Sequence, residues 1–212
     1  MNLLQLIREL LSRFDKTEKL DKIFVFPYST DKGTKQKQIW ENLQRGLLFE
    51  DKGVLIPWLT PFNQVDKYKE KRRDSGDRTE WYLGKHLILD GYEGNIEVMR
   101  WINLPWTNPV TAIRGDLGYD DEGMTNFYSL KKHLVTRLGE PNETNITQWG
   151  NLDLGTIKWH YDKVGISLVG IEHFNGRYSF RIGLLRDRNK EYFDKMIANM
   201  KANGLTEEEL GK

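Results

Sequence analysis

Three carboxylates stand side by side in residues 118–123, which read Gly-Tyr-Asp-Asp-Glu-Gly. In a loop between two glycines, such a cluster could bind a hard cation, act as an acid–base pair, or present negative charge to a basic partner. The spacing lacks the alternating oxygen ligands of an EF-hand loop, and plain solvation without a function is a further alternative. We predict that this segment contacts a partner protein through Tyr119, Asp120, Asp121 and Glu122.

A second candidate is the aromatic, proline-interrupted segment at residues 101–109. Aromatic side chains on a restricted backbone make good interface anchors, because little conformational entropy is lost when they bind. Packing between two parts of the same protein is the alternative. We therefore add Trp101 and Trp106 to the predicted binding residues.

Signals for catalysis are weak in this chain. There is no cysteine, no His-Glu-x-x-His spacing, no Gly-x-Ser-x-Gly elbow and no phosphate-binding loop. We therefore predict no catalytic residue, no metal site and no cofactor. Among the histidines we expect His133 to lie on the solvated side of its helix. We assign structural or surface roles to all four, namely His86, His133, His160 and His173.

Electrostatic attraction to phosphate is also a weak hypothesis. The chain has 32 Lys and Arg against 31 Asp and Glu, a formal net charge of +1. Residues 67–74 hold five cations, but neighbouring acidic residues dilute their field, and we predict a solvated helix face there. We do not expect nucleic acid as a partner.

The first residues predict a helix with one apolar side. Arg8 and Glu9 interrupt the apolar run before a signal peptide or a membrane span is complete. We therefore expect no membrane and a cytoplasmic location. The apolar stripe packs either on its own domain or against a second copy in a homodimer. Its members are Leu3, Leu4, Ile7, Leu10, Leu11 and Phe14.

A chain of 212 residues can form one large domain or two small ones. We divide it into an N-terminal helical extension over 1–53, a first α+β repeat over 54–110, and a second α+β repeat with a C-terminal helix over 111–212. The extension is expected to hold a short strand at 23–26 and a helix over 34–50.

Both repeats show the same order of signals, namely helix, Trp, strand, Asp-containing turn, Gly and strand. In the first repeat we expect Thr60 to cap a helix that covers 63–74. Strands at 86–89 and 94–102 are expected on either side of the turn at Asp90-Gly91.

The second repeat has the stronger signals. Thr125 is expected to cap a helix that ends at Gly139, and strands follow at 156–161, 165–171 and 177–184. Asn175-Gly176 is a strong hairpin signal. The last strand alternates so that one face carries Tyr178, Phe180, Ile182 and Leu184, and a helix follows over 189–203. The fold class we predict is α+β, with an antiparallel meander covered by helices in two tandem repeats.

The run from Phe127 to Pro141, which ends in Leu138-Gly139-Glu140-Pro141, is followed by Trp149 and the three predicted strands. This arrangement resembles the unit of helix, Leu-Gly-x-Pro and three-stranded meander in bacterial beta-lactamase-inhibitor-protein-like repeats. The resemblance covers residues 124–185 well and 58–104 loosely. It implies an α+β module whose sheet face or edge loops bind another protein, with no catalytic residues to carry over.

These observations favour a binding function over catalysis. We predict a non-catalytic, cytoplasmic bacterial protein that binds another protein, for example an immunity protein that neutralises a toxin domain. Two alternatives stay open. One is an enzyme whose carboxylates and histidines meet only in the fold, and the other is a structural homo-oligomer joined through the N-terminal helix.

Overall fold

The computed structural model describes residues 24–75, 78–101, 109–172 and 176–202. Its helices are α1 Lys32–Arg45, α2 Phe62–Val65, α3 Asp120–Leu138 and α4 Lys190–Ala202, with 3-10 turns at Asp66–Tyr68 and Asp187–Asn189. Its strands are β1 Gly46–Phe49, β2 Val54–Pro57, β3 Lys71–Ser75, β4 Arg78–Ile88, β5 Tyr92–Trp101, β6 Ala112–Tyr119, β7 Glu143–Trp149, β8 Leu152–Tyr161, β9 Val164–Ile171 and β10 Arg177–Leu184.

One antiparallel sheet of eight strands dominates the fold. Its spatial order is β3-β4-β5-β6-β10-β9-β8-β7, and β1 and β2 form a separate hairpin. The α+β class is confirmed. Each half of the sheet is a four-stranded meander, and the halves meet where β6 pairs with β10. From either edge towards the centre, the strands therefore follow one another in chain order. The tandem repeat itself stays a prediction.

The inner face of the sheet carries the hydrophobic core. Helix α3 packs against β6, β8, β9 and β10, and Phe127 on this helix meets Tyr178 on β10 with ring centroids 5.5 Å apart. Phe180 and Ile182 are almost completely buried. The predicted arrangement, a helix covering the face with Tyr178, Phe180 and Ile182, is confirmed. No helix in the described part of the chain is both long and apolar enough to cross a membrane.

Three buried polar side chains of the core, Trp58, Trp159 and Glu50, have defined hydrogen-bond partners. Trp58 Nε1 donates to the carbonyl oxygen of Leu43 at 2.6 Å, and Trp159 Nε1 donates to that of Gly139 at 2.9 Å. Glu50 accepts the backbone N–H groups of Asp90 at 2.7 Å and Gly91 at 2.8 Å. The carboxylate thus ties the β1–β2 hairpin to the turn between β4 and β5, as a buried polar group requires.

Several local predictions are confirmed. The strands predicted at 156–161, 165–171 and 177–184 correspond to β8, β9 and β10. The turns at Asp90-Gly91 and Asp162-Lys163 connect β4 to β5 and β8 to β9. The C-terminal helix is α4.

The helix predicted over 34–50 is too long, because it ends at Arg45 and Leu47 and Leu48 lie in β1. Gly46 explains the change of structure. A Cβ at this position would collide with the backbone oxygen of Ile56 on β2, so the hairpin strands approach more closely than any side chain allows. The spacing of Leu47 and Leu48 relative to the preceding apolar residues is compatible with a helix that continues and with a short strand.

The strand predicted at 23–26 is also wrong for its described part, where Phe24 to Phe26 are irregular. The Asn42 side chain forms the hydrogen bonds to the Val25 backbone that a neighbouring strand would otherwise form. Its Oδ1 accepts the N–H of Val25 at 3.0 Å, and its Nδ2 donates to the oxygen of Val25 at 3.0 Å. One amide side chain therefore satisfies the backbone that we had expected to join a sheet.

The helix predicted over 63–74 is wrong beyond its first turns. Helix α2 ends at Val65, a 3-10 turn follows, and the basic residues continue into the edge strand β3. Thr60 does not cap the helix, since Pro61 is the N-cap and the Thr60 hydroxyl donates to the Pro57 oxygen at 2.7 Å. Charged residues on an edge strand discourage pairing with other chains, which is a better account of this segment than a helix face.

Some predictions lie outside the described residues. They concern the N-terminal helix and its homodimer contact, Trp106, His173 and the Asn175 half of the hairpin signal.

The prediction that His133 lies on the solvated side of its helix is wrong. Its Nε2 is 2.7 Å from the carbonyl oxygen of Leu89 and therefore donates to it, and its ring packs 5.8 Å from that of Tyr92. Burial lowers the pKa of His133, and the positive charge of Arg137 adds to this effect. The neutral imidazole is the form that the fold stabilises.

We expect the stability of the protein to fall as the pH drops below about 6.5, the ordinary histidine pKa. In the folded state His133 binds its proton only at lower pH, so the unfolded state holds more protons in this window and stability rises with pH. His133→Gln keeps a donor and removes the titration. Urea unfolding between pH 5 and 7 should show a shallower pH dependence for this variant, and an unchanged slope would contradict the assignment.

Candidate functional site

A continuous row of polar side chains crosses the outer face of the sheet. In an antiparallel pair, residues directly opposite each other point to the same face. Phe180 and Ile182 point into the core, so Arg181 between them points outward. The residues successively opposite one another on all eight strands, which we call the polar row, are Lys71, Tyr82, Glu97, Arg114, Arg181, Ser167, Lys158 and Glu143.

On β4, β5 and β6 the charges compensate one another. Arg114 forms ion pairs with Glu97 and, at 3.3 Å, with Glu80, and Arg78 Nε lies 2.9 Å from Glu80 Oε1. Both carboxylates are buried. Burial raises the pKa of Glu97, and the positive charge of Arg114 opposes that rise. This cluster is a stabilising structure in which each carboxylate has an arginine.

Arg181 at the centre of the row has no such partner. It is exposed, and it lies opposite Arg114 on one side and Ser167 on the other. Within the described part of the chain, no carboxylate forms an ion pair with it. Its side chain remains accessible to solvent, and partial desolvation by the surrounding protein lowers its pKa. The middle of the outer face therefore presents a positive charge that has no counter-charge among the described residues.

One end of the outer face is apolar and aromatic. Tyr119, Trp149 and Ile171 are 47%, 46% and 49% exposed. They are the last residues of β6, β7 and β9, and these three strands end at the same end of the sheet. Arg177 is directly opposite both Tyr119 and Ile171, and its guanidinium lies 5.6 Å from the Tyr119 ring. Three large exposed apolar side chains at one end of the sheet make that end a candidate interaction surface.

The acidic segment borders this apolar end, but it is not the predicted loop. Asp120, Asp121 and Glu122 form the first turn of α3, and they remain exposed. Thr125 is not the cap, since its hydroxyl donates to the Asp121 oxygen at 2.8 Å inside the helix. Negative charge is favoured at a helix N-terminus, because the helix dipole is positive there. The signal in the sequence was the acidic first turn, which we took for a loop because of the flanking glycines.

The structure separates the two halves of the predicted binding site. Tyr119 ends β6, whereas Trp101 ends β5, which runs antiparallel to β6. The two residues therefore lie at opposite ends of the sheet. The backbone of Trp101 is described but its side chain is not, and Trp106 lies outside the described residues.

The three described histidines, His86, His133 and His160, do not converge. His86 is buried between Asp51 and the Leu83 oxygen, at 2.9 and 2.8 Å, and stacks on Phe49. His160 lines a cleft of about 330 Å³ between β8, β9 and the segment after β10, which also holds Lys158 and Ser167. No hydrogen bond joins His160 to Ser167. Over the described ranges, no group of three or more His, Asp or Glu is placed to hold a metal ion.

Comparison with family models, with curated proteins and with solved structures gives no match for this chain. The resemblance to beta-lactamase-inhibitor-like repeats therefore stays a prediction. What defines the candidate site is its own geometry: an antiparallel sheet with a polar outer face, one uncompensated arginine at the centre and an aromatic, acidic border at one end.

The two central arginines should differ sharply in their effect on stability. Arg114→Leu leaves the buried Glu97 without its cation and leaves Glu80 with Arg78 alone, and we expect a loss of about 3 kcal/mol in the free energy of unfolding. Arg181→Leu removes a charge that has no partner and should change stability by about 0.5 kcal/mol or less. Urea denaturation at neutral pH measures both. Equal losses for the two variants would refute this account of the charges.

Proposed function

We propose that this protein is a non-catalytic binding protein that recognises another protein with the outer face of its sheet. An immunity protein that neutralises a toxin domain is the concrete form we favour, acting in the cytoplasm of a bacterium. The single observation that supports the proposal most is Arg181, an arginine in the centre of a polar face that has no counter-charge in the described part of the chain.

The face has the dimensions of a specific interface. Strands lie about 4.8 Å apart, so eight strands span roughly 34 Å. A typical partner contributes about 800 Å² of surface, which corresponds to a circular patch roughly 32 Å across. The side chains stand on paired strands of a sheet, and a rigid framework of this kind loses little conformational entropy on binding.

The chemistry of the face indicates the partner's chemistry. Arg181 fits a carboxylate, which an arginine can bind through two parallel hydrogen bonds. Tyr119, Ile171 and Trp149 fit an apolar patch beside it. The exposed carboxylates at the start of α3 would attract a basic border and speed association. We therefore propose a partner with an acidic centre, an apolar flank and a basic rim on that flank.

The decisive test reverses the charge of Arg181. Arg181→Glu should weaken partner binding at least about tenfold, because a carboxylate would then face a carboxylate. Lys132→Glu makes the same charge change on an exposed position of α3, away from the outer face, and should bind normally. The tagged proteins are used to recover the partner from the source cells, followed by titration with the purified partner.

Equal binding by both variants would remove the outer face from the interface. Failure of the wild-type protein to recover any specific partner would contradict the binding function itself.

A further inference from the structure

The two edges of the sheet are protected differently. Strand β3 at one edge carries Lys71, Arg72, Arg73 and Asp74, and such charges discourage another strand from pairing. Strand β7 at the other edge reads Glu-Thr-Asn-Ile-Thr-Gln-Trp, with one charged residue, no proline and several residues that favour strands. An edge of this composition is a template for strand pairing.

Strand β7 is exposed in the part of the chain that the structure describes. Six of its seven residues are exposed, and within the described residues only β8 pairs with it. No irregularity interrupts the β7–β8 register, so the strand is regular along its whole length. Glu143, its one charge, is neutralised by Lys158 at 2.8 Å. Among the residues that the structure describes, the edge therefore has neither the bulge, nor a covering strand, nor the uncompensated charge that usually blocks association.

From this geometry we infer that β7 pairs with β7 of a second copy of this chain, in an antiparallel register centred on Ile146. Ile146 is the middle residue of the seven, so this register pairs all seven residues across a two-fold axis, as a symmetric dimer requires. It would join two eight-stranded sheets into one.

The side chains of this register are complementary on both faces. Ile146 already packs against the core on the inner face and is only half-buried, and here it would meet the partner's Ile146 and extend the core across the axis. On the outer face Asn145 would lie opposite Thr147 of the partner subunit, and Glu143 opposite Trp149 of the partner subunit. No like charges face each other in this arrangement.

The register itself provides the test. In Asn145→Lys with Thr147→Lys, each lysine would lie directly opposite a lysine of the other copy, and the dimer dissociation constant should rise at least about tenfold. In Asn145→Lys with Thr147→Glu, each lysine would lie opposite a glutamate, and the constant should return to within about threefold of the wild-type value. Both positions are exposed, so the fold should tolerate either pair.

The measurement is the mass of the full-length protein by light scattering and sedimentation over a concentration series. Dimerisation doubles the 25.0 kDa mass of the chain. Ser129→Lys with Thr136→Lys adds the same charge on exposed positions of α3, which packs against β6, β8, β9 and β10, and this control should dimerise like the wild type. Circular dichroism verifies that every variant is folded.

Four outcomes would overturn the inference. They are a wild-type protein that stays monomeric at every concentration, a double-lysine variant that dimerises normally, a lysine–glutamate variant that does not recover, and a control that fails like the double-lysine variant. The second outcome would place the dimer contact elsewhere. None of these results bears on the Arg181 experiment, so the two proposals fail separately.

Discussion

The pairing of β6 with β10 is the contact on which the rest of the structure depends. It joins two strands that lie far apart in the chain, β6 at Ala112–Tyr119 and β10 at Arg177–Leu184, and closing this connection costs conformational entropy that the packing must offset. Gly115 makes the close packing possible. A Cβ there would overlap the ring of Phe180 on the adjacent strand, so only glycine lets this ring lie across β6 and contact Tyr92. One shared core and one continuous outer face follow from this junction.

The same junction creates the charge pattern of the outer face. It sets Arg114 directly opposite Arg181, and like charges in that position repel. Glu97 and Glu80 neutralise Arg114, whereas Arg181 has no ion-pair partner among the described residues. A protein selected for stability alone would gain nothing from this arrangement. A partner's carboxylate at Arg181 would complete it, which is why we attribute the arginine to binding and the glutamates to structure.

Much of the second half of the sheet could be predicted from the sequence, because its strands alternate and its turns contain favourable residues. Strand β10 is the clearest case, with Tyr178, Phe180 and Ile182 all buried. Strand β6 was missed, although Ile113 and Leu117 alternate with Arg114 and Asp116 in the same way. Strand β7 could not be predicted from alternation, because it is exposed on both faces.

The candidate site was less predictable than the fold. The segment at 119–122 was selected for its charge, and it does border the exposed apolar end of the outer face. Arg181 was not selected, because nothing near it in the chain distinguishes it from other strand arginines. What distinguishes Arg181 is the register between β10 and β6, which places Arg114 directly opposite it. The register between distant strands depends on core packing, so no local sequence motif predicts it.

Hydroxyl-radical footprinting of the protein with and without its bound partner tests the central claim most directly. Tyr119, Trp149 and Tyr161 are 47%, 46% and 55% exposed, so all three react readily in the free protein. Tyr161 packs against Trp40 of α1, with ring centroids 5.7 Å apart and away from the outer face, and serves as the internal control. The account predicts that the partner protects Tyr119 and Trp149 and leaves Tyr161 reactive. Protection of Tyr161 with Tyr119 and Trp149 unchanged would contradict it.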